Sequence, residues 1–341
     1  MSAALVFAAA AAGGALGTLA ARWLAPRLGM MCRPNPLVPQ HTRTVAYLGG
    51  VGVAVGIVSG AAAAPGWWRA LPAWGLAAGA VSFLALGVLD DARPLSPRGK
   101  LALQAVAASL AAALGVAAPF TGSPVVDAVL AVGWMMAMVN AVNLVDVSDG
   151  LAAGICGAAL LAVAAAHPEL APVALATAGA AAGFLVFNLP PASIFLGDAG
   201  AHLLGFALAA ATLRGWRPGA PVAGAAGMVL TAGVPLFEVC LLLAVRRRKG
   251  IPWWKGSSDH FALRLQVAGW SRLQTAVVAW ACSAILAVAG ALLPGAPLAA
   301  QVGVPLLVTA ASAAAWHALL RWEVPPRRAP VAAAAAPAAA P

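Results

Sequence analysis

Apolar residues run through this chain in long blocks, and polar residues are confined to the short breaks between them. Eleven blocks stand out, at about 3–25, 45–64, 70–89, 101–118, 124–140, 150–166, 171–189, 200–213, 219–245, 272–293 and 297–320. A membrane-crossing helix needs about 20 largely apolar residues. A soluble core would instead show apolar stripes at helical spacing between charged faces. The pattern therefore predicts an all-α, polytopic integral membrane bundle of about 11 transmembrane helices. Alanine and glycine dominate the blocks, and small side chains let membrane helices approach closely. The eighth block is short and begins polar, so it is expected to be tilted, broken or merged with a neighbour. Residues 1–324 read as one transmembrane domain, and 325–341 as a Pro/Ala-rich tail expected to be disordered. The first block is long and lacks a Lys/Arg-rich leader, which reads as a retained helix, not a cleaved signal.

Composition sharpens the membrane reading. Of 341 residues, 62% are hydrophobic and 9% charged, against about 25% charged in a soluble domain. Mean hydropathy is +0.91. The net charge of +10 does not point to nucleic acid, because no compact basic domain or aromatic RNA-binding motif accompanies it. It follows the loops. With the N-terminus outside and the blocks alternating, sixteen Lys and Arg residues fall on inner loops and only Arg69, Arg214 and Arg217 on outer ones. That is a strong positive-inside bias. The same alternation places every acidic break on the cytoplasmic side, although the basic count did not require it. Cys32, Cys156, Cys240 and Cys282 are scattered and form no metal-type pair.

The acidic residues are concentrated in three inner breaks. The second inner loop carries Asp90 and Asp91, followed by Lys100 and Gln104. Adjacent carboxylates stay ionised only beside a cation or basic groups; a solvated loop with local salt bridges is the plainer reading. Lys100 and Gln104 are four apart and share a helix face, a face able to hold phosphate oxygens. The third loop is Asn140-Ala-Val-Asn-Leu-Val-Asp-Val-Ser-Asp-Gly150. Asn140, Asn143 and Asp146 recur every three residues along one face, with Asp149 beyond it. Four polar groups exceed what a helix cap needs, and polar groups at membrane depth are costly without partners or work. The fourth loop sets Asp198 between Gly197 and Gly200, as a helix cap or an open metal ligand; His202, four residues on, reads as an interior histidine. The longest inner segment contains the run Arg246–Lys249, read first as a topology anchor, and the interfacial pair Trp253 and Trp254. His260 and Arg264 are four apart there and could point together at an anionic ligand. Glu238 in the ninth block is a functional candidate or a partner for the basic run. Carboxylates grouped at a membrane face suit a hard cation such as Mg2+ with phosphates completing its shell. No P-loop or Rossmann signature is present.

The motifs also carry a resemblance. Leu89-Asp-Asp91 with Lys100 and Gln104, Asn140 to Ala152, Phe195-Leu-Gly-Asp-Ala-Gly200 with Gly205, and Gly49-Gly50 together resemble the polyprenyl-phosphate N-acetylhexosamine-1-phosphate transferases, in order over about residues 33–265. The resemblance implies transfer of a sugar 1-phosphate from a UDP-N-acetylhexosamine to undecaprenyl phosphate, with release of UMP, at the cytoplasmic face of the inner (plasma) membrane. It implies Mg2+, with Mn2+ the alternative, on Asp198 and Asp91. It implies catalytic roles for Asp90, Asp91, Asp146 and Lys100, and substrate contacts from Asn140, Asn143, Asp149, Gln104, His260 and Arg264. A homodimer is suggested by the resemblance alone. Three departures stand out. Val147 replaces the glycine that usually follows the first aspartate of an Asp-Gly-x-Asp-Gly motif. Ala262 and Leu263 replace two histidines of a His-x-His-His-Arg-Leu pattern. The stretch Asn35 to Arg43 replaces a sequence usually rich in Arg and Lys. The competing readings are a transporter, which should place its acids near mid-span in repeated halves, and a catalytically weakened scaffold of the same fold.

Overall fold

The computed structural model describes residues 2–325, apart from 35, 36, 39, 40 and 70. The tail expected beyond 325 lies outside the described residues. The chain is built of α1 (Ala3–Leu24), α2 (Gly49–Ala62), α3 (Ala73–Ala92), α4 (Pro97–Ala113), α5 (Pro124–Val145), α6 (Leu151–Ala166) and α7 (Ala171–Asn188). It continues with α8 (Gly197–Arg214), α9 (Pro221–Thr231), α10 (Gly233–Arg248), α11 (Phe261–Val267), α12 (Arg272–Leu292) and α13 (Leu298–Leu319).

Each apolar block becomes helix, and the all-α membrane class holds. The count of eleven full spans does not. Among the described residues, six helices are long and apolar enough to cross a membrane, seven if α9 and α10 form one bent span. Helices α2 and α6 have 14 and 16 residues, so they extend about 21 and 24 Å at about 1.5 Å per residue. That is short of a hydrocarbon core of about 30 Å. The eighth block, expected to be the irregular one, forms the unbroken α8. The break falls in the ninth, where α9 and α10 meet at 76°. Pro235 sits in the first turn of α10 without an N–H to continue the ladder, and Gly233 precedes it.

Helix α1 packs on α2 and α7, α3 and α5 pack on α8, and α6 packs on α7 and α12. One core gathers Val142, Ile155, Phe184, Leu204 and Leu241; a second gathers Met135 and Met138 around stacked Phe83 and Phe206. The approach of α2 to α8 depends on glycine. A Cβ on Gly50 would collide with the backbone of Ala199 and Gly200, and the Gly50 N–H donates to the Leu196 carbonyl at 2.9 Å.

A small sheet supplements the helices. Strand β1 (Met31–Cys32) pairs antiparallel with β2 (Val45–Tyr47), which pairs parallel with β3 (Ile194–Phe195). It fixes the first inner loop against the fourth at the very entrance to α2 and α8.

Candidate active site

Alternation of the helices brings the C-terminal ends of α3, α5 and α7 and the N-terminal ends of α4, α6, α8 and α12 to one end of the bundle. The acidic breaks meet there. Lys100, in the first turn of α4, places Nζ 2.8 Å from Asp90 Oδ2 and 2.8 Å from Asp198 Oδ2. Ser96 caps α4 by accepting from the Gly99 N–H, and Pro97 begins it, so the lysine's start position is set locally. Asn143 donates to Asp198 Oδ1 at 2.5 Å. Asp90 Oδ1 accepts from the Leu95 N–H at 2.7 Å. Asp91 accepts from the N–H groups of Asp198 and Ala199, at 2.8 and 3.1 Å. It thereby caps the positive end of α8 and holds Asp198 in place. Gly197 turns into that helix with φ 75°, a conformation that favours glycine.

Among the described residues, no three His, Cys, Asp or Glu side chains form a metal-ligand cluster. The Lys100 ammonium sits between two of the carboxylates instead. The donor chemistry remains all-oxygen, which suits Mg2+ held by one or two carboxylates together with substrate phosphates.

Asn140 and Gln104 are turned to one another. Asn140 donates to Gln104 Oε1 at 2.7 Å and to the Met136 carbonyl at 2.8 Å, and Gln104 is fully buried beside His202. The structure thus keeps this pair inside the bundle, behind the Lys100 cluster.

Asp146 ends α5 and lines a cleft of about 370 Å³ with Tyr47, Asp149, Phe195 and Arg272. Its carboxyl is pushed up to about 8, first by burial and then by Asp198, Asp91 and Asp149. Burial first, and then Asp91 and Asp146, push the Cys32 thiol up to about 11, so it is a neutral wall residue and not a nucleophile. Asp149 is buried; its Oδ2 accepts from Arg272 Nη1 at 2.7 Å and from the Ala192 N–H at 3.2 Å.

His260 and Arg264 do not reach this cleft. His260 lies 2.6 Å from fully buried Glu238. Arg264, 1% exposed, is bound by Asp259 at 2.7 Å and by the carbonyls of Leu319 and Trp322 at 3.2 and 2.9 Å. The expected pairing fails because His260 precedes α11 in extended conformation, with ψ 143°. The four-residue rule applies only inside a helix. Glu238 finds its partner in His260, not in the basic run. Ala262 and Leu263 are buried in the core.

In the sequence Arg43 and Arg272 stand only among the sixteen inner-loop charges, yet both line the cleft. Their one signal was position, at the ends of the first and last inner loops that frame the acidic breaks.

The family model for glycosyl transferase family 4 matches residues 73–215, the stretch that supplies Asp90, Asp91, Lys100, Asn143, Asp146 and Asp198. A decaprenyl-phosphate N-acetylglucosaminephosphotransferase of Mycobacterium tuberculosis is 30% identical over 310 residues, covering 78% of this chain and 76% of the relative. The chain belongs to glycosyl transferase family 4. Two further family relatives span similar shares. A phospho-N-acetylmuramoyl-pentapeptide-transferase of Synechococcus sp. (strain RCC307) is 31% identical, over 71% of this chain and 74% of its own. A Bacillus subtilis protein named as a probable undecaprenyl-phosphate N-acetylglucosaminyl 1-phosphate transferase is 26% identical, over 76% of each.

Proposed function

We propose that this chain is a phosphoglycosyl transferase that moves N-acetylhexosamine 1-phosphate from a UDP-N-acetylhexosamine to undecaprenyl phosphate. One observation carries the reading. Lys100 is clasped between Asp90 and Asp198, with Asn143 on Asp198, at the mouth-side end of a membrane bundle beside a polar cleft. The relatives' names act in the same direction, since they pair a polyprenyl phosphate or a muramoyl-pentapeptide with a transferase.

A phosphate oxygen of the lipid attacks the β-phosphorus of the UDP-sugar. A new P–O bond forms there, the bond from that phosphorus to the bridging oxygen breaks, and UMP leaves with the electron pair. The lipid phosphate is already a competent nucleophile, so a covalent enzyme intermediate is not needed. Asp90 or Asp91 takes any proton left on it. Lys100 meets the phosphate charge as it shifts, and Asn143, Asp146 and Asp149 shape the donor pocket. Mg2+, or Mn2+ in its place, fits Asp198 and Asp91 as an all-oxygen donor set and when bound neutralises phosphate charge. Residues 1–324 act as one catalytic domain in the inner (plasma) membrane, with the site at the cytoplasmic face where Arg246, Arg247, Arg248 and Lys249 also lie. A homodimer belongs to the same proposal.

The test is UMP release by the purified full chain given undecaprenyl phosphate, Mg2+ and a panel of UDP-sugars. One donor should support release that EDTA and Asp198→Asn each abolish. No release and no UDP-sugar binding would refute the assignment.

A further inference from the structure

Four inner segments are joined along the wall of the cleft by one run of hydrogen bonds. Arg43 Nη2 donates to the Ala192 carbonyl at 2.8 Å. The N–H of the same Ala192 donates to Asp149 Oδ2 at 3.2 Å. Arg272 Nη1 donates to that oxygen at 2.7 Å. All four residues line the cleft. The chain separation is 149 residues at one link and 123 at another, so only the folded bundle assembles it.

The charge in this belt is unbalanced. Asp149 answers Arg272, and no acidic group pairs with Arg43 among the described residues. Each arginine spends one nitrogen on the belt, and a guanidinium carries five N–H donors in a planar fork that matches phosphate. Asp149 is 8% exposed at its side chain and Arg272 34%, so the acid is an interior post and the arginine the outward face. Helix α11 meanwhile offers the cleft no cation, since Arg264 is fully engaged and Ala262 and Leu263 are in the core.

We propose that Arg43 and Arg272 form the anion-binding rim of the donor cleft and hold the diphosphate of a nucleoside diphosphate sugar. Asp149 is the positioning residue that fixes Arg272 and, through Ala192, Arg43. The inference rests on the transferase reading above. It assigns donor binding to two residues outside the acidic motifs.

The experiment measures donor KM, kcat and the dissociation constant for UDP with the full chain in detergent. Arg43→Gln and Arg272→Gln should each raise KM and the UDP dissociation constant about 10- to 100-fold, the loss of one charge-assisted contact. Turnover at saturating donor should stay within a few fold, the pattern of lost uniform binding. Arg272→Lys keeps a cation beside Asp149 and should recover part of the affinity. Arg43→Gln removes a contact at an exposed residue and guards against a folding defect in the Arg272 variant. Wild-type turnover with unchanged KM and UDP affinity in both Gln variants would overturn the rim while leaving the transferase reading intact. A wild-type chain that neither binds UDP nor turns over would overturn both.

Discussion

Removing the charge of Lys100 tests the architecture of the carboxylate cluster directly. Lys100→Met keeps the stem and deletes the ammonium, leaving Asp90 and Asp198 facing one another. The lysine makes two contacts of 2.8 Å, among side chains 17%, 9% and 23% exposed. Each charge-assisted bond contributes about 1.5–3 kcal/mol, and residual solvent exposure places these at the low end. The two together come to about 2–4 kcal/mol. At about 2–4 °C per kcal/mol for a chain of this order of size, the melting temperature in EDTA should fall by about 4–16 °C. A divalent cation competes with the ammonium for the same oxygens. Saturating Mg2+ should therefore raise the melting temperature of the variant more than that of the wild type. The assay is thermal unfolding in detergent with EDTA or Mg2+, with Lys255→Met, an exposed lysine, as the control. A variant that melts with the wild type in EDTA, or an equal Mg2+ shift in both proteins, would refute the reasoning.

Two other outcomes follow from the same geometry. Burial and its acidic neighbours push the Asp146 carboxyl up to about 8 in the folded protein, against about 3.9 unfolded. The folded state thus holds an extra proton across that window, and the stability from this group is fully present below about pH 4 and lost as pH rises through 8. The melting temperature in EDTA should therefore fall in the wild type as pH rises from about 6 to about 8, and Asp146→Asn should flatten that decline. Gly50→Ala places a methyl against the α8 backbone at Ala199 and Gly200. It should destabilise the chain by about 3 kcal/mol, read by thermal unfolding, whereas Gly66→Ala, with no atom near its Cβ, should cost only the strain of its positive φ.

The acidic breaks show how far local chemistry reaches. Asn140, Asn143 and Asp146 share one periodic face in the sequence, but the fold divides them: Asn140 turns to Gln104, Asn143 to Asp198, and Asp146 leaves the helix at ψ 57° to line the cleft. Periodicity predicts a face only while the helix lasts, and α5 ends at Val145, so the rule holds for Asn140 and Asn143 but not for Asp146. His260 fails the same way, one position before α11 begins.

By itself the sequence determined the helical membrane class, the order of the breaks and the concentration of the acids in those breaks. Hydropathy summed over about 20 residues and loop charge are local properties, readable without partners. Only the tertiary structure decided that Lys100 stands between Asp90 and Asp198, that Asp91 caps α8, and that Arg272 answers Asp149. It also decided that the ninth block bends and that α2 and α6 fall short of a full span. Apart from Lys100 with Asp90, these contacts join residues about a hundred positions apart. Their partners are chosen by how closely glycine-lined helices pack and by which carboxylate or carbonyl a buried cation must meet.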